Sequence, residues 1–231
     1  MRRITGVLFI VAAVAFAIAA SVLSATFDWP DILREPADKV LTEYVAGGAG
    51  LTWTWLAVAW SYGLLAIPIL MLPKAINREG STVLRIATVI GAASVLLSMI
   101  GFLRWVFVVP PLARAHAAGD TTVAAAWNAQ HQYGGALLGE HLGEILAIAW
   151  SVGVSVVILQ TQVLPRWIGW AGLVASVLYF LNQGDIMATA VPGFPVWEPA
   201  GLLGSTAWGV WTILLGVGLA VHLKRTRAYL E

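Results

Sequence analysis

Residues 134–159 read GGALLGEHLGEILAIAWSVGVSVVIL, an almost unbroken apolar run that still holds two glutamates and a histidine. A bilayer core of about 30 Å needs about 20 apolar residues in helical form, and this run meets that length. Working outward, similar runs occupy residues 4–25, 51–72, 83–109, 163–181 and 201–223. The pattern predicts an all-α, polytopic membrane bundle of six transmembrane helices, a single integral membrane domain over residues 1–231. The run at 163–181 is the weakest, since Pro165 and Arg166 stand near its start, although Pro165 suits a first helical turn. The first run has a second reading as a signal peptide, because it follows Met1-Arg2-Arg3 and ends near Ala19, Ser21 and Ser24. Against this, its apolar stretch is longer than the usual signal-peptide core of 7–15 residues.

Composition agrees across all 231 residues. The chain is 59% hydrophobic and 11% charged with a net charge of +1, and its mean hydropathy is +0.83. Soluble domains carry roughly 25% charged residues. A soluble enzyme, a disordered tail and a nucleic-acid binder with a basic stripe are therefore excluded. With no cysteine, disulfides, thiolate nucleophiles and Cys-ligated metals are excluded too. No internal repeat or low-complexity tract is visible.

Basic residues set the expected orientation. Placing both termini in the cytoplasm puts Arg2, Arg3, Lys74, Arg78, Arg85, Arg166, Lys224, Arg225 and Arg227 inside, leaving Arg34, Lys39 and Arg114 outside and Arg104 within the third run. On the outer side, Phe27-Asp28-Trp29-Pro30-Asp31-Ile32-Leu33-Arg34-Glu35-Pro36 is turn chemistry. A short interfacial helix follows from Pro36 until Gly47 and Gly48 end it, with Val40, Leu41, Tyr44 and Val45 on one face. A second short helix is expected from Asp120 or Thr121, and an irregular loop from Gly184 to Pro199. Trp29, Trp53, Trp55, Trp105, Trp127, Trp197 and Trp208 map near the outer interface and read as an aromatic belt. The sharper alternative is a stacking wall for an apolar substrate.

The chemistry concentrates in residues 131–144. Ionisable groups inside a span need a partner or a task. On a regular α-helix Glu140 and Glu144 stand 40° apart and His141 60° from Glu144, so all three reach one point. Two carboxylates and an imidazole suit an oxygen- and nitrogen-ligated metal, a proton relay, or an acid–base pair. Gly135, Gly139 and Gly143 form a bare seam for a neighbouring helix. A purely structural role in interhelical bonding fits less well, because like charges at i,i+4 repel and one glutamate must then bind a proton or a cation.

Arg104 is the expected cation for one carboxylate. In the metal reading the ligands are Glu140, His141, Glu144 and His131, with Asp185 as a further candidate. Asp28, Asp185, Glu198, Tyr133 and Trp105 are outer-pocket candidates. His116 and His222 read as interface anchors. Bis-histidine haem is disfavoured, since the histidines lie at mismatched depths, and the spacing lacks a zincin motif or a phosphate loop.

The segments Phe27 to Pro36, Arg104-Trp105-Val106-Phe107-Val108-Val109-Pro110 and Tyr133 to Trp150 with Gly139-Glu140-His141-Leu142-Gly143 resemble a group of bacterial multi-pass membrane proteins defined by a domain of unknown function. The resemblance covers most of the chain and implies a bacterial inner-membrane location, with no catalytic residue to carry over.

Three functional classes follow. The first is an outward-facing intramembrane Glu/His site that binds a divalent or redox metal ion, or holds a proton on one glutamate and acts on a lipid-like substrate. The second is a small proton- or ion-coupled carrier. The third is an accessory subunit using its outer loops and tryptophans. Membrane lipid, a second copy and a partner subunit are the expected partners.

Overall fold

The computed structural model describes residues 1–221, so the expectations for His222, Leu223, Lys224, Arg225 and Arg227 lie outside the described residues. The described chain is helical and contains no strand. Helix α1, Arg2–Phe27, ends where Asp28 turns left-handed at φ 52° ahead of Trp29-Pro30, a turn that stops the helix. A 3-10 turn, Asp31–Arg34, leads into α2, Ala37–Gly63, which starts immediately after Pro36. Gly48 interrupts α2 at φ 56° and ψ −152°. Only glycine adopts this conformation easily. The short helix expected after Pro36 is therefore present, but it runs through this kink into the apolar segment.

Helices α3, Ala66–Ala75, and α4, Thr82–Phe107, follow. Ser81 caps α4 by accepting from the Leu84 amide at 3.3 Å. Helix α5, Val109–Ala117, carries Pro110 and Pro111 in its first turn, where a missing N–H is tolerated. The prolines thus start a helix where the sequence reading placed the end of one. Helix α6, Val123–Gln130, begins slightly later than expected. Residues His131–Leu142 then form a π-helix that continues into α7, Gly143–Thr161. Helices α8, Arg166–Leu181, α9, Gln183–Ala188, and α10, Ala200–Val221, complete the described chain.

The long helices close into a ring in the order α1, α2, α4, α7, α8, α10 and back to α1. One end carries Met1 and the short connections. The other carries the 3-10 turn, α5, α6, α9 and the irregular residues 189–199, and is the loop-rich end. Five helical segments are long and apolar enough to cross a membrane: Arg2–Phe27, Ala37–Ala75, Thr82–Ala117, Val123–Thr161 and Ala200–Val221. Ile4, Val7, Val11, Val14, Ile18 and Val22 line an exposed apolar stripe on α1. Such a stripe at helical spacing, on a helix long enough to span, is a lipid-facing surface. The chain is a membrane protein.

Inside the ring, aromatic side chains pack among leucines, isoleucines and valines. Trp150 lies 5.4 Å from Trp211 and 6.0 Å from both Trp208 and Phe9, centroid to centroid. Buried indoles keep their N–H partnered where they can. Trp208 Nε1 donates to Ser151 Oγ at 2.7 Å, and Trp211 Nε1 donates to the Ile168 carbonyl at 2.9 Å. Trp211→Phe is expected to destabilise the fold by about 1–2 kcal/mol, because it removes a donor and leaves a buried carbonyl short of a partner. Thermal unfolding in detergent checks this, and an unchanged midpoint would refute it.

A second aromatic cluster occupies the loop-rich end. Trp55 and Trp105 stack at 4.6 Å with their planes 1° apart, and Phe27 and Trp127 meet Trp105 edge-on. Tyr44 donates to the Trp105 carbonyl at 2.5 Å. Trp55, Trp105, Trp127 and Trp208 are buried, while Trp53 and Trp197 are exposed. The belt reading is corrected for the four buried residues, which pack the interior because their rings find aromatic partners there.

Candidate functional site

Helix α4 holds the π-helix at both ends. Arg104 Nη1 donates to the His131 carbonyl at 3.0 Å, and Ser94 Oγ donates to the Gly143 carbonyl at 2.7 Å. Between these ties the glycine seam lies flat on α4. A Cβ on Gly139 would stand 2.8 Å from the Gly101 Cα, one on Gly143 would stand 2.5 Å from Ser98 Oγ, and one on Gly135 would overlap the Arg104 guanidinium. The π-helix therefore requires these glycines in order to approach α4. π-Helical segments are rare and occur frequently at functional sites.

The change from π to α geometry falls at Leu142 and Gly143, between the two glutamates. The three ionisable groups stay close, but different partners take them up. Glu140 accepts from Arg34 Nη2 at 2.7 Å, and Arg34 also reaches Asp185 Oδ2, at 2.9 Å from Nε and 2.7 Å from Nη2. The Arg34, Glu140 and Asp185 side chains are 28%, 18% and 36% exposed, so this bridge stands at the mouth of the cluster. Burial works against the Arg34 charge, but the field of Glu140 and hydrogen bonds to Asp185 and Glu140 outweigh it. They hold the guanidinium well above its ordinary value.

Glu144 is bound differently. Asn182 Nδ2 donates to both its oxygens, at 3.0 and 3.1 Å, and Gln183 Nε2 donates to Oε2 at 2.9 Å. The Gln183 carbonyl oxygen accepts from His141 Nδ1 at 2.7 Å. With its amide nitrogen committed to Glu144, Gln183 offers only an acceptor to the imidazole, so the His141 proton sits on Nδ1. His141, Gln183, Glu144 and Asn182 thus form one chain of hydrogen bonds between the start of α7 and the junction of α8 with α9. Glu144, His141 and Asn182 are half-buried and Gln183 is buried. Among the described residues, no cation lies within 4.0 Å of Glu144.

Several sequence expectations need correction. Arg104 does not pair with Glu140. It spans the bare Gly135 backbone to a carbonyl, and Arg34 takes the carboxylate instead. His131 stacks on Trp127 at 5.1 Å and does not join Glu140, His141 and Glu144 as a ligand set. No group of three or more His, Asp or Glu among the described residues is arranged to hold a metal ion. Trp105 is core and Tyr133 faces outward, 64% exposed. Asp28 lines a separate hollow of about 300 Å³ with Lys39 and Glu43, and Glu198 is exposed in the loop before α10. Of the outer-pocket candidates, Asp185 alone joins the cluster. Arg34, Asn182 and Gln183 were not singled out from sequence as site residues. Their signals were an arginine between two prolines, and adjacent amides closing an apolar run beside Asp185.

Fold and site together define a helical integral membrane protein with a two-tier polar cluster: a salt-bridged mouth and, behind it, a carboxylate held by neutral amides. The chain belongs to the family described as domain of unknown function DUF4386, which matches residues 4–216. No curated protein and no solved structure matches it.

Proposed function

We propose that this is a bacterial inner-membrane protein with six crossings and both termini in the cytoplasm, whose outward-facing site performs proton-dependent chemistry on an apolar or lipid-like substrate. The topology rests on the concentration of Lys and Arg at the short-loop end. The sixth crossing is α8. Its 16 residues extend about 24 Å, Asn182 and α9 prolong it, and Trp167, Trp170, Val174, Val177 and Phe180 form an exposed apolar face.

One observation carries the chemical reading. Of two glutamates four residues apart, Glu140 has a guanidinium, while Glu144 meets neutral groups, the amides of Asn182 and of the histidine-linked Gln183 and the Tyr179 hydroxyl. A half-buried carboxylate inside a membrane helix without a cation is neutral when it takes up a proton and costly when it releases one. Glu144 is then the exchangeable acid and His141 its proton-carrying neighbour through Gln183, while Glu140 stays committed to Arg34. The metal form of the site has no comparable support.

Infrared difference spectroscopy of the purified protein, titrated across neutral pH, tests this. A protonated-carboxyl band is expected that titrates in wild type, vanishes in Glu144→Gln and persists in Glu140→Gln. A wild type without such a band, or a band unaffected by Glu144→Gln, would end the proposal.

A second reading is a proton-coupled carrier. Its support is the Arg34 bridge, which joins the 3-10 turn, the π-helix and α9 across the mouth of the cluster in the manner of a gate that must open for a substrate to reach Glu144.

A further inference from the structure

Arg104 sits near the end of a membrane helix and is 7% exposed. A buried guanidinium in that setting requires compensation. The protein supplies part of it through the field of Glu140, which is itself bonded to Arg34, and few direct bonds. One N–H meets the His131 carbonyl, and Nε is buried with no partner. The Trp105 ring lies 5.3 Å from the guanidinium carbon, a cation–π contact that offsets part of the charge without satisfying an N–H. Among the described residues no carboxylate stands within 4.0 Å of Arg104, since Arg34 engages both Glu140 and Asp185.

Arginine presents its N–H groups as a planar fork matched to the oxygens of a carboxylate or a phosphate. Gly134 and Gly135 leave the backbone beside this fork bare. A Cβ on Gly135 would occupy the guanidinium position, so the glycine is what allows Arg104 to lie there. Buried polar atoms are nearly always satisfied, and a buried arginine Nε without an acceptor points to an acceptor brought by a ligand. Phe107, three residues after Arg104, and Tyr133, just before Gly134, are 70% and 64% exposed, giving apolar surface toward lipid.

We propose that Arg104 binds the anionic head of an amphiphile, a carboxylate or phosphate carried on an apolar tail, and that this is the substrate class of the Glu144 site. The inference rests on the proton-handling reading of that site. Arg104 holds the head while the tail lies along Phe107 and Tyr133.

Native mass spectrometry of the full chain released from a nonionic detergent tests it, with dodecyl phosphate, dodecanoate, dodecanol and inorganic phosphate as probes. Dodecyl phosphate and dodecanoate are expected to bind saturably and about tenfold more tightly than dodecanol. Arg104→Gln and Gly135→Ala should each remove that preference. Arg114→Gln, an exposed basic residue at the same end, should leave it intact. Equal binding of dodecanol and dodecyl phosphate in wild type overturns the proposal, as does an anion preference that survives Arg104→Gln. Should Arg104→Gln not fold, the wild-type preference and Gly135→Ala decide. Inorganic phosphate displacing the probe at equal concentration overturns the amphiphile and makes the ligand a soluble anion. If the Glu144 band titrates but no anion preference exists, this inference alone falls. If the preference holds without the band, the proton reading falls and with it the amphiphile's role as substrate of the Glu144 site, while Arg104 stands as the anion-binding residue.

Discussion

Alanine at Gly139 is expected to destabilise the protein by about 3 kcal/mol, at the upper end of ordinary overpacking. The added Cβ would stand 2.8 Å from the Gly101 Cα. That neighbour is backbone, so no side-chain rotation relieves the clash and the π-helix must move away from α4. At about 2–4 °C per kcal/mol for a chain of this size, the apparent Tm should fall by about 6–12 °C. The displacement also pulls Arg104 from the His131 carbonyl and Ser94 from the Gly143 carbonyl, so the proton signal of Glu144 should weaken in the same variant. Thermal unfolding in detergent measures the first effect and infrared titration the second. A Gly139→Ala protein that melts within a degree of wild type would show that the two backbones are not this close.

Removing Arg34 should have the second large effect. Arg34→Gln leaves Glu140 and Asp185 without their shared cation, and breaking such a pair is far more damaging than its net contribution suggests. Full burial would make the loss about 3–5 kcal/mol. Because the Arg34 and Glu140 side chains are 28% and 18% exposed, water screens part of it, and about 2 kcal/mol is expected. Glu140→Gln in the Arg34→Gln background should then lose little more, giving a coupling of about 1–2 kcal/mol in a double-mutant cycle. Strictly additive losses would show that the bridge contributes nothing at the mouth. The guanidinium itself stays charged at every accessible pH, because its partners hold it above an already high ordinary value. Any pH dependence of the bridge must therefore come from the carboxylates.

Much of this architecture was legible in the chain. The apolar runs map onto α1, the second part of α2 with α3, α4, the π-helix with α7, α8 and α10, since burial in lipid demands a continuous apolar length that a linear sequence displays directly. The Gly135, Gly139 and Gly143 seam was also readable, because small residues at a four-residue interval mark a close helix approach. Misreadings came where local pattern and tertiary context compete. Pro110 and Pro111 signal a helix end in isolation, yet in a first turn they begin α5. The outer tryptophans fit a lipid interface by position, but four of them find aromatic partners inside the protein.

From the residues alone come the membrane class, the approximate spans, the clustering of chemistry in residues 131–144 and the inequality imposed on two glutamates so near each other. Each depends on composition or short-range spacing, which the chain carries without being folded. Only the tertiary structure decided which glutamate obtains the cation. That choice depends on contacts spanning 106 residues to Arg34 and 38 or 39 to the amides of Asn182 and Gln183. Depth along a helix can be counted from sequence, but which distant side chain reaches a given carboxylate cannot, so Arg104 spends its hydrogen bond on the His131 carbonyl across Gly135 while Arg34 bonds Glu140.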